Sequence, residues 1–106
     1  KYRTDFDMEG SCNYAFNLII KNPDSDFRNR VEKTMKNAGV EFRRGSSGGG
    51  NQLRQPYLHQ FVPEKEYEKY PEVEHIHFYG YYIGNYPDLK NEQILALCQL
   101  LNEVAD

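Results

Sequence analysis

The residues best suited to chemistry fall in one stretch, Gly45-Ser46-Ser47-Gly48-Gly49-Gly50-Asn51-Gln52-Leu53-Arg54-Gln55-Pro56, closed by Tyr57. Backbone amides in glycine segments can cradle phosphates. A guanidinium such as that of Arg54 grips phosphate or carboxylate through a rigid fork, and the amides of Asn51 and Gln55 suit sugar hydroxyls. The stretch is neither a Walker A motif nor GxGxxG, because no Gly-Lys-Ser/Thr follows and the spacing differs. On composition alone it reads as a flexible surface loop or linker. Its flanks argue for a ligand-holding loop, since a linker has no use for Asn51, Gln52, Arg54 and Gln55 ahead of Pro56-Tyr57.

Other chemistry is thinner. His75 and His77 are two apart, which puts them on one side of a strand but on different faces of a helix. A metal site would need a third ligand, and His59 and Glu74 are the only candidates that present themselves, with no spacing that fixes them. Solvated or interfacial histidines are the expectation. Ser46 and Ser47 lie beside glycines without the GxSxG pattern of a nucleophile elbow. The carboxylates are spread over helix surfaces and the Glu64-Lys65-Glu66 turn. No self-contained triad or carboxylate pair emerges. Cys12 and Cys98 lie far apart without CxxC spacing, which points to a reducing, cytoplasmic compartment and to two partly buried small hydrophobes.

The elements that would position the glycine-rich stretch can be read from periodicity. Residues 1–12 form an irregular lead-in. Tyr14 to Ile20 alternates as a strand with Phe16, Leu18 and Ile20 on one face. After a turn at Lys21-Asn22-Pro23-Asp24, the apolar spacing of Phe27, Val31, Met35 and Ala38 predicts a helix capped by Asp24 or Ser25 and ended by Gly39. Val40 to Arg43 is a short strand. Beyond the 45–56 loop, residues 57–69 read as loop with a helical turn after Pro63. Pro71 to Ile76 reads as a short helix, and Phe78 to Tyr86 as β-prone, with a strand around Tyr81 to Ile83. Ile94, Leu97, Leu101 and Val104, widened by Leu95, Cys98 and Leu100, predict a last helix over about Leu89 to Ala105, with Asp88 as its cap. The sum is a single α+β domain over 1–106, two-layered, with a small mixed or antiparallel sheet and helices packed on one face.

Composition excludes several classes. The 106 residues carry a net charge of −3, which argues against a nucleic-acid backbone binder. No apolar run is long enough for a membrane span or signal peptide, so no membrane association is expected. The chain opens on Lys1 rather than Met, as a fragment or processed chain would. Tryptophan is absent while tyrosine occurs nine times, with Tyr79, Tyr81, Tyr82 and Tyr86 clustered. Such rings suit a face that meets another domain or a ligand. Together with amphipathic helices lacking a partner domain, they point to a homodimer.

Three segments, in order, carry a family resemblance. Val40-Glu41-Phe42-Arg43-Arg44 after its helix resembles the G-[IV]-E-x-R strand of the small C-terminal domain in sugar-nucleotide aminotransferases, which are fold type I enzymes dependent on pyridoxal phosphate (PLP). Gly50-Asn51-Gln52-Leu53-Arg54-Gln55-Pro56-Tyr57 resembles the G-N-x-x-R-Q-P loop of the 3-dehydratase branch. Tyr82-Ile83-Gly84-Asn85-Tyr86-Pro87-Asp88-Leu89 resembles that branch's I-G-x-[YH]-P-x-L turn. The resemblance covers roughly residues 14–104 and is nearest to the GDP-4-keto-6-deoxymannose and CDP-sugar 3-dehydratases. It implies a small domain that covers an active site built elsewhere. A large domain, with no counterpart in this chain, would hold PLP or its amine form PMP and the catalytic base. This chain would bind no cofactor alone. Its residues Asn51, Gln52, Arg54, Gln55 and Tyr57 would help hold the sugar nucleotide, with Arg54 displayed as part of a shared pocket. The pathway implied is deoxysugar synthesis for lipopolysaccharide.

Overall fold

A computed structural model describes residues 1–47 and 50–106; Gly48 and Gly49, within the expected 45–56 loop, lie outside the described residues. The elements are β1 (Ala15–Ile19), α1 (Ser25–Asn37), β2 (Phe42–Arg44), α2 (Pro71–Tyr79), β3 (Gly80–Gly84) and α3 (Asn91–Glu103). Single 3₁₀ turns occupy Gly45–Ser47, Gln52–Arg54, Pro56–Leu58 and Glu66–Lys69 between β2 and α2. The sheet order is β1-β3-β2, and both pairings are antiparallel. β1 and β2 therefore point the same way with β3 between them, and α1 makes the crossover. This is a split β-α-β unit, and the α+β architecture agrees with the sequence reading.

Alternation along the strands decides which side is covered. Leu18 pairs with Tyr81, Phe16 with Ile83, and Phe42 with Ile83. These residues, with Ile20, turn to the helix side. There Phe27, Val31 and Met35 of α1 and Leu101 and Val104 at the end of α3 complete one apolar cluster. Val31 and Met35 are fully excluded from solvent. Tyr81 enters this core with its hydroxyl donating to Glu32 Oε1 at 2.9 Å, and Arg44 Nε donates to the same oxygen at 2.7 Å. Burial, followed by the hydrogen bond to Glu32, pushes the Tyr81 phenol far up from its ordinary range.

Local signals fix the ends of α1. Asp24 Oδ1 accepts from the amides of Asp26 and Phe27 at 2.9 and 3.0 Å, satisfying two of the donors that a helix start leaves unpaired. Gly39 takes the left-handed φ of +72° that reverses the chain into β2. The lead-in is more ordered than the sequence implied. Arg3 N donates to Ile19 O and Lys21 N to Lys1 O, both at 2.8 Å, and Tyr2 Oη donates to Leu101 O at 2.7 Å. Burial first, and then Asp106, push the Tyr2 phenol up to about 12.

Three expectations need correction. Phe78 and Tyr79, read as β-prone, close α2 instead, while the strand expected around Tyr81 to Ile83 is β3. The helix starts at Pro71 with Glu72 and Glu74 in its first turn, which suits the positive end of its dipole, and it runs on until Gly80 takes an extended backbone. α3 begins at Asn91 and not near Leu89, because Leu89 N bonds Tyr86 O at 3.0 Å in a separate turn. Its start is instead held by Gln93 Oε1, which accepts from Lys90 N at 2.9 Å. Finally, Leu95, Cys98 and Cys12 are exposed rather than packed. Among the described residues no helix is long and apolar enough to cross a membrane.

The core predicts a sharp contrast in urea unfolding. Met35→Ala should cost about 2–5 kcal/mol because its cavity cannot fill with water. Leu95→Ala, on the exposed side of α3, should stay within about 0.5 kcal/mol of the parent.

Candidate functional site

The segment after the glycines folds back onto α2. Asn51 caps the Gln52–Arg54 turn, its Oδ1 accepting from Leu53 N at 3.1 Å. In a 3₁₀ turn, side chains three apart lie one above the other, so Asn51 and Arg54 share a side. α2 presents Glu74 and His77, also three apart, to meet them. Arg54 Nε and Nη2 donate to the two oxygens of Glu74 at 2.7 and 2.6 Å, a bidentate fork. Asn51 Nδ2 donates to Glu74 Oε1 at 2.8 Å, and Asn51 N donates to His77 Nδ1 at 2.9 Å.

Aromatic rings close over the pair. The Arg54 guanidinium carbon lies 3.9 Å from the Tyr67 ring centre and 4.8 Å from that of Phe78. A planar cation on ring faces gains quadrupole attraction, more so when water is excluded. The Arg54 and Glu74 side chains are 28% and 18% exposed, so the pair is partly desolvated. The hydrogen bond from Arg54 holds the Glu74 carboxyl below its usual range against the opposing effect of burial, with Asn51 assisting. Reciprocally, the hydrogen bond to Glu74 raises Arg54.

The glycines on the approach have a steric reason at one position. A Cβ on Gly50 would lie 2.5 Å from His77 Nδ1 and 2.8 Å from Gly45 O. Only glycine lets the backbone come this close, and that approach is what delivers the Asn51 amide to the imidazole.

The five residues singled out in the sequence thus separate. Asn51 is 2% exposed with its side chain fully engaged inside the domain, and Arg54 is paired rather than displayed. Gln52 and Tyr57 are exposed, with Gln52 Nε2 donating to Tyr57 Oη. Gln55 is half-buried, its amide 3.5 Å from Ser46 O. Sequence reasoning missed Glu74, Tyr67, Phe78 and His77 as partners. Glu74, in the sequence a possible metal ligand, serves as the partner of Arg54, and no group of three or more His, Cys, Asp or Glu side chains suited to a metal exists among the described residues. His77 is buried rather than solvated. His75, on the other side of α2, donates from Nε2 to Ile20 O at 2.7 Å.

A cleft of about 470 Å³ opens beside the clamp, lined by Leu53, Arg54, His59, Val62, Glu64 and Lys65 together with Pro63 and Tyr67. Arg54 spends Nε and Nη2 on Glu74, and its Nη1 has no hydrogen-bond partner among the described residues. Lys65 forms no ion pair among them either, and it holds a left-handed φ of 59°. Such a conformation costs a non-glycine residue about 1 kcal/mol. The cleft therefore sets the held Arg54 guanidinium and the Lys65 ammonium beside the apolar Leu53 and Val62, with the Glu64 carboxylate also in its lining, an arrangement suited to a polar group attached to a larger ligand.

No family model, no curated protein and no solved structure matches this chain.

The clamp should behave as a unit. In a double-mutant cycle on urea stability, Glu74→Gln alone should cost about 2 kcal/mol, because it leaves a partly buried guanidinium without its charge partner. The coupling to Arg54→Ala should exceed about 1 kcal/mol. Additive effects would mean that the two side chains do not support one another in solution.

Proposed function

We propose that this chain is the small C-terminal domain of a PLP-dependent sugar-nucleotide 3-dehydratase or aminotransferase of the cytoplasm. On this reading it serves deoxysugar synthesis, helping to hold the sugar nucleotide while a large partner domain performs the chemistry. Two things support this reading: the three motif resemblances in order, and a small antiparallel sheet with helices on one face, the architecture the resemblance implies. The single observation that carries the ligand role is the cleft lined by Arg54, His59 and Lys65 beside the Asn51–Gln55 segment.

The roles divide by burial. Asn51 and Glu74 hold Arg54, so its remaining donors keep a fixed direction and lose little freedom on binding. Gln52, Gln55 and Tyr57, at or near the surface, would contact the sugar or its nucleotide. Lys65 would supply the unpaired charge for phosphate.

Every lysine is exposed, so none resembles the desolvated amine that forms a Schiff base with PLP. On this reading PLP or PMP would be held by the partner domain, and no step of the reaction is assigned to residues here.

A second reading, self-association as a homodimer, draws on the sheet's other side. Tyr14 is 85% exposed, and its ring lies 6.1 Å from Tyr82, over which Arg43 sits at 5.9 Å. Light scattering separates the two readings: a mass of twice 12.5 kDa without any ligand response favours self-association alone.

The leading reading is tested by titrating the chain with GDP- and CDP-linked sugars while following backbone amides by NMR, first alone and then with a large PLP-binding domain supplied. Shifts are expected at Leu53, Arg54 and Lys65. Lys65→Gly removes the ammonium at a φ that glycine adopts without strain, and should raise the half-saturating concentration about tenfold, as expected for loss of one charged hydrogen bond. Unmoved cleft amides in both arrangements would dispose of the ligand role.

A further inference from the structure

His77 is a buried titratable group that the proposed function does not use. It is 8% exposed. Its Nδ1 accepts from Asn51 N at 2.9 Å, so that nitrogen carries no proton and the ring is the neutral Nε2–H tautomer. The backbone of Gly45 closes on the other side, where a Cβ would lie 3.4 Å from His77 Nε2. The Phe78 ring packs against it at 4.8 Å, near perpendicular.

The charged groups around the ring come from three elements. Arg54 approaches from the 3₁₀ turn, Arg44 from β2, and Glu74 from one turn earlier on α2. Two cations and one anion, with little water, are a poor setting for an imidazolium. Burial first, then Arg54, and Arg44 after Glu74's opposing effect, hold the ring below the ordinary histidine range.

We propose that His77 is an acid-released latch: its neutral ring holds the Gly50–Gln55 segment on α2, and protonation of Nδ1 sets donor against donor and lets the segment go. The contact cannot survive the proton, because among the described residues Nδ1 is the only acceptor offered to the Asn51 amide. Release would loosen the Asn51 cap and the side chain that ties Glu74 to it, and so open one wall of the Arg54 cleft. The latch rests on the imidazole geometry alone and holds whether or not the cleft takes a sugar nucleotide.

The sign follows from linkage. The released segment leaves a ring that binds its proton more readily than the latched one. The latch is therefore intact above the ordinary histidine value of about 6.5, and weakens as pH falls through that value towards the ring's own lower one. Glu74, one turn earlier on α2, is itself held below the usual carboxylate range by its hydrogen bond from Arg54.

The test is amide hydrogen exchange at Asn51 in the full chain, corrected for intrinsic rates, between about pH 7.5 and about pH 5, alongside NMR titration of the His77 ring. Protection at Asn51 should fall, by no more than about tenfold per pH unit for a single proton, from the ordinary histidine value down to the pH at which the ring itself titrates, and level off there. His77→Asn places a carboxamide oxygen near the Nδ1 position without a titrating proton, and its Asn51 protection should be flat over the same range. Constant Asn51 protection in the parent chain, protection that goes on falling below the pH at which the ring titrates as steeply as above it, or a His77→Asn curve that copies the parent's would each overturn the latch. The ring titration needs no variant, so the proposal stays open to refutation even if His77→Asn does not fold.

Discussion

A guanidinium withdrawn from water must find fixed acceptors, and in this chain Arg54 finds both oxygens of Glu74. That requirement organises everything between β2 and α2. It sets the phase of α2, because Glu74 must face the 3₁₀ turn at Gln52–Arg54. With Glu74 fixed, His77 falls one turn later on the same side, opposite the Asn51 amide. Tyr67 and Phe78 then cover the guanidinium from the flanking segments. A region whose described residues form short 3₁₀ turns and no strand is thereby pinned to the sheet's end.

The molecule divides energetically along the same line. One side is held by apolar burial: β1, β3, α1 and the end of α3 enclose Ile20, Val31 and Met35. The other is held by charge-assisted hydrogen bonds and ring contacts. Interactions of the second kind depend on direction and on protonation, whereas burial depends mainly on area. The polar side is therefore the one that can respond to pH or to a ligand while the sheet and its two helices stay in place.

The first side was legible in the sequence and the second largely was not. Period-two alternation at Phe16, Leu18 and Ile20 and the spacing of Phe27, Val31 and Met35 report a sheet face and a helix face directly, since each residue's burial depends on its own element. Asp24 and Gly39 mark the ends of α1 by local chemistry. The pairing of Arg54 with Glu74 spans twenty residues, and nothing local predicts it. The available signal was a match of intervals, with Asn51 and Arg54 three apart and Glu74 and His77 three apart, visible only once both segments are taken as helical turns. Phe78 and Tyr79 were misjudged because aromatic residues favour strands, while packing against Arg54 and the continuation of α2 outweighed that preference. The family resemblance singled out Asn51 and Arg54 among five residues without revealing that both engage Glu74.

The account stands on the Arg54–Glu74 fork existing in solution, and the side-chain signal of Arg54 reports on it most directly. Observed by nitrogen-resolved NMR at neutral pH, the Arg54 Nε–H should exchange with water far more slowly than those of exposed arginines such as Arg43. It should speed up to their rate when Glu74 is changed to Gln. An Arg54 Nε–H that already exchanges as fast as an exposed guanidinium in the parent chain would contradict the account.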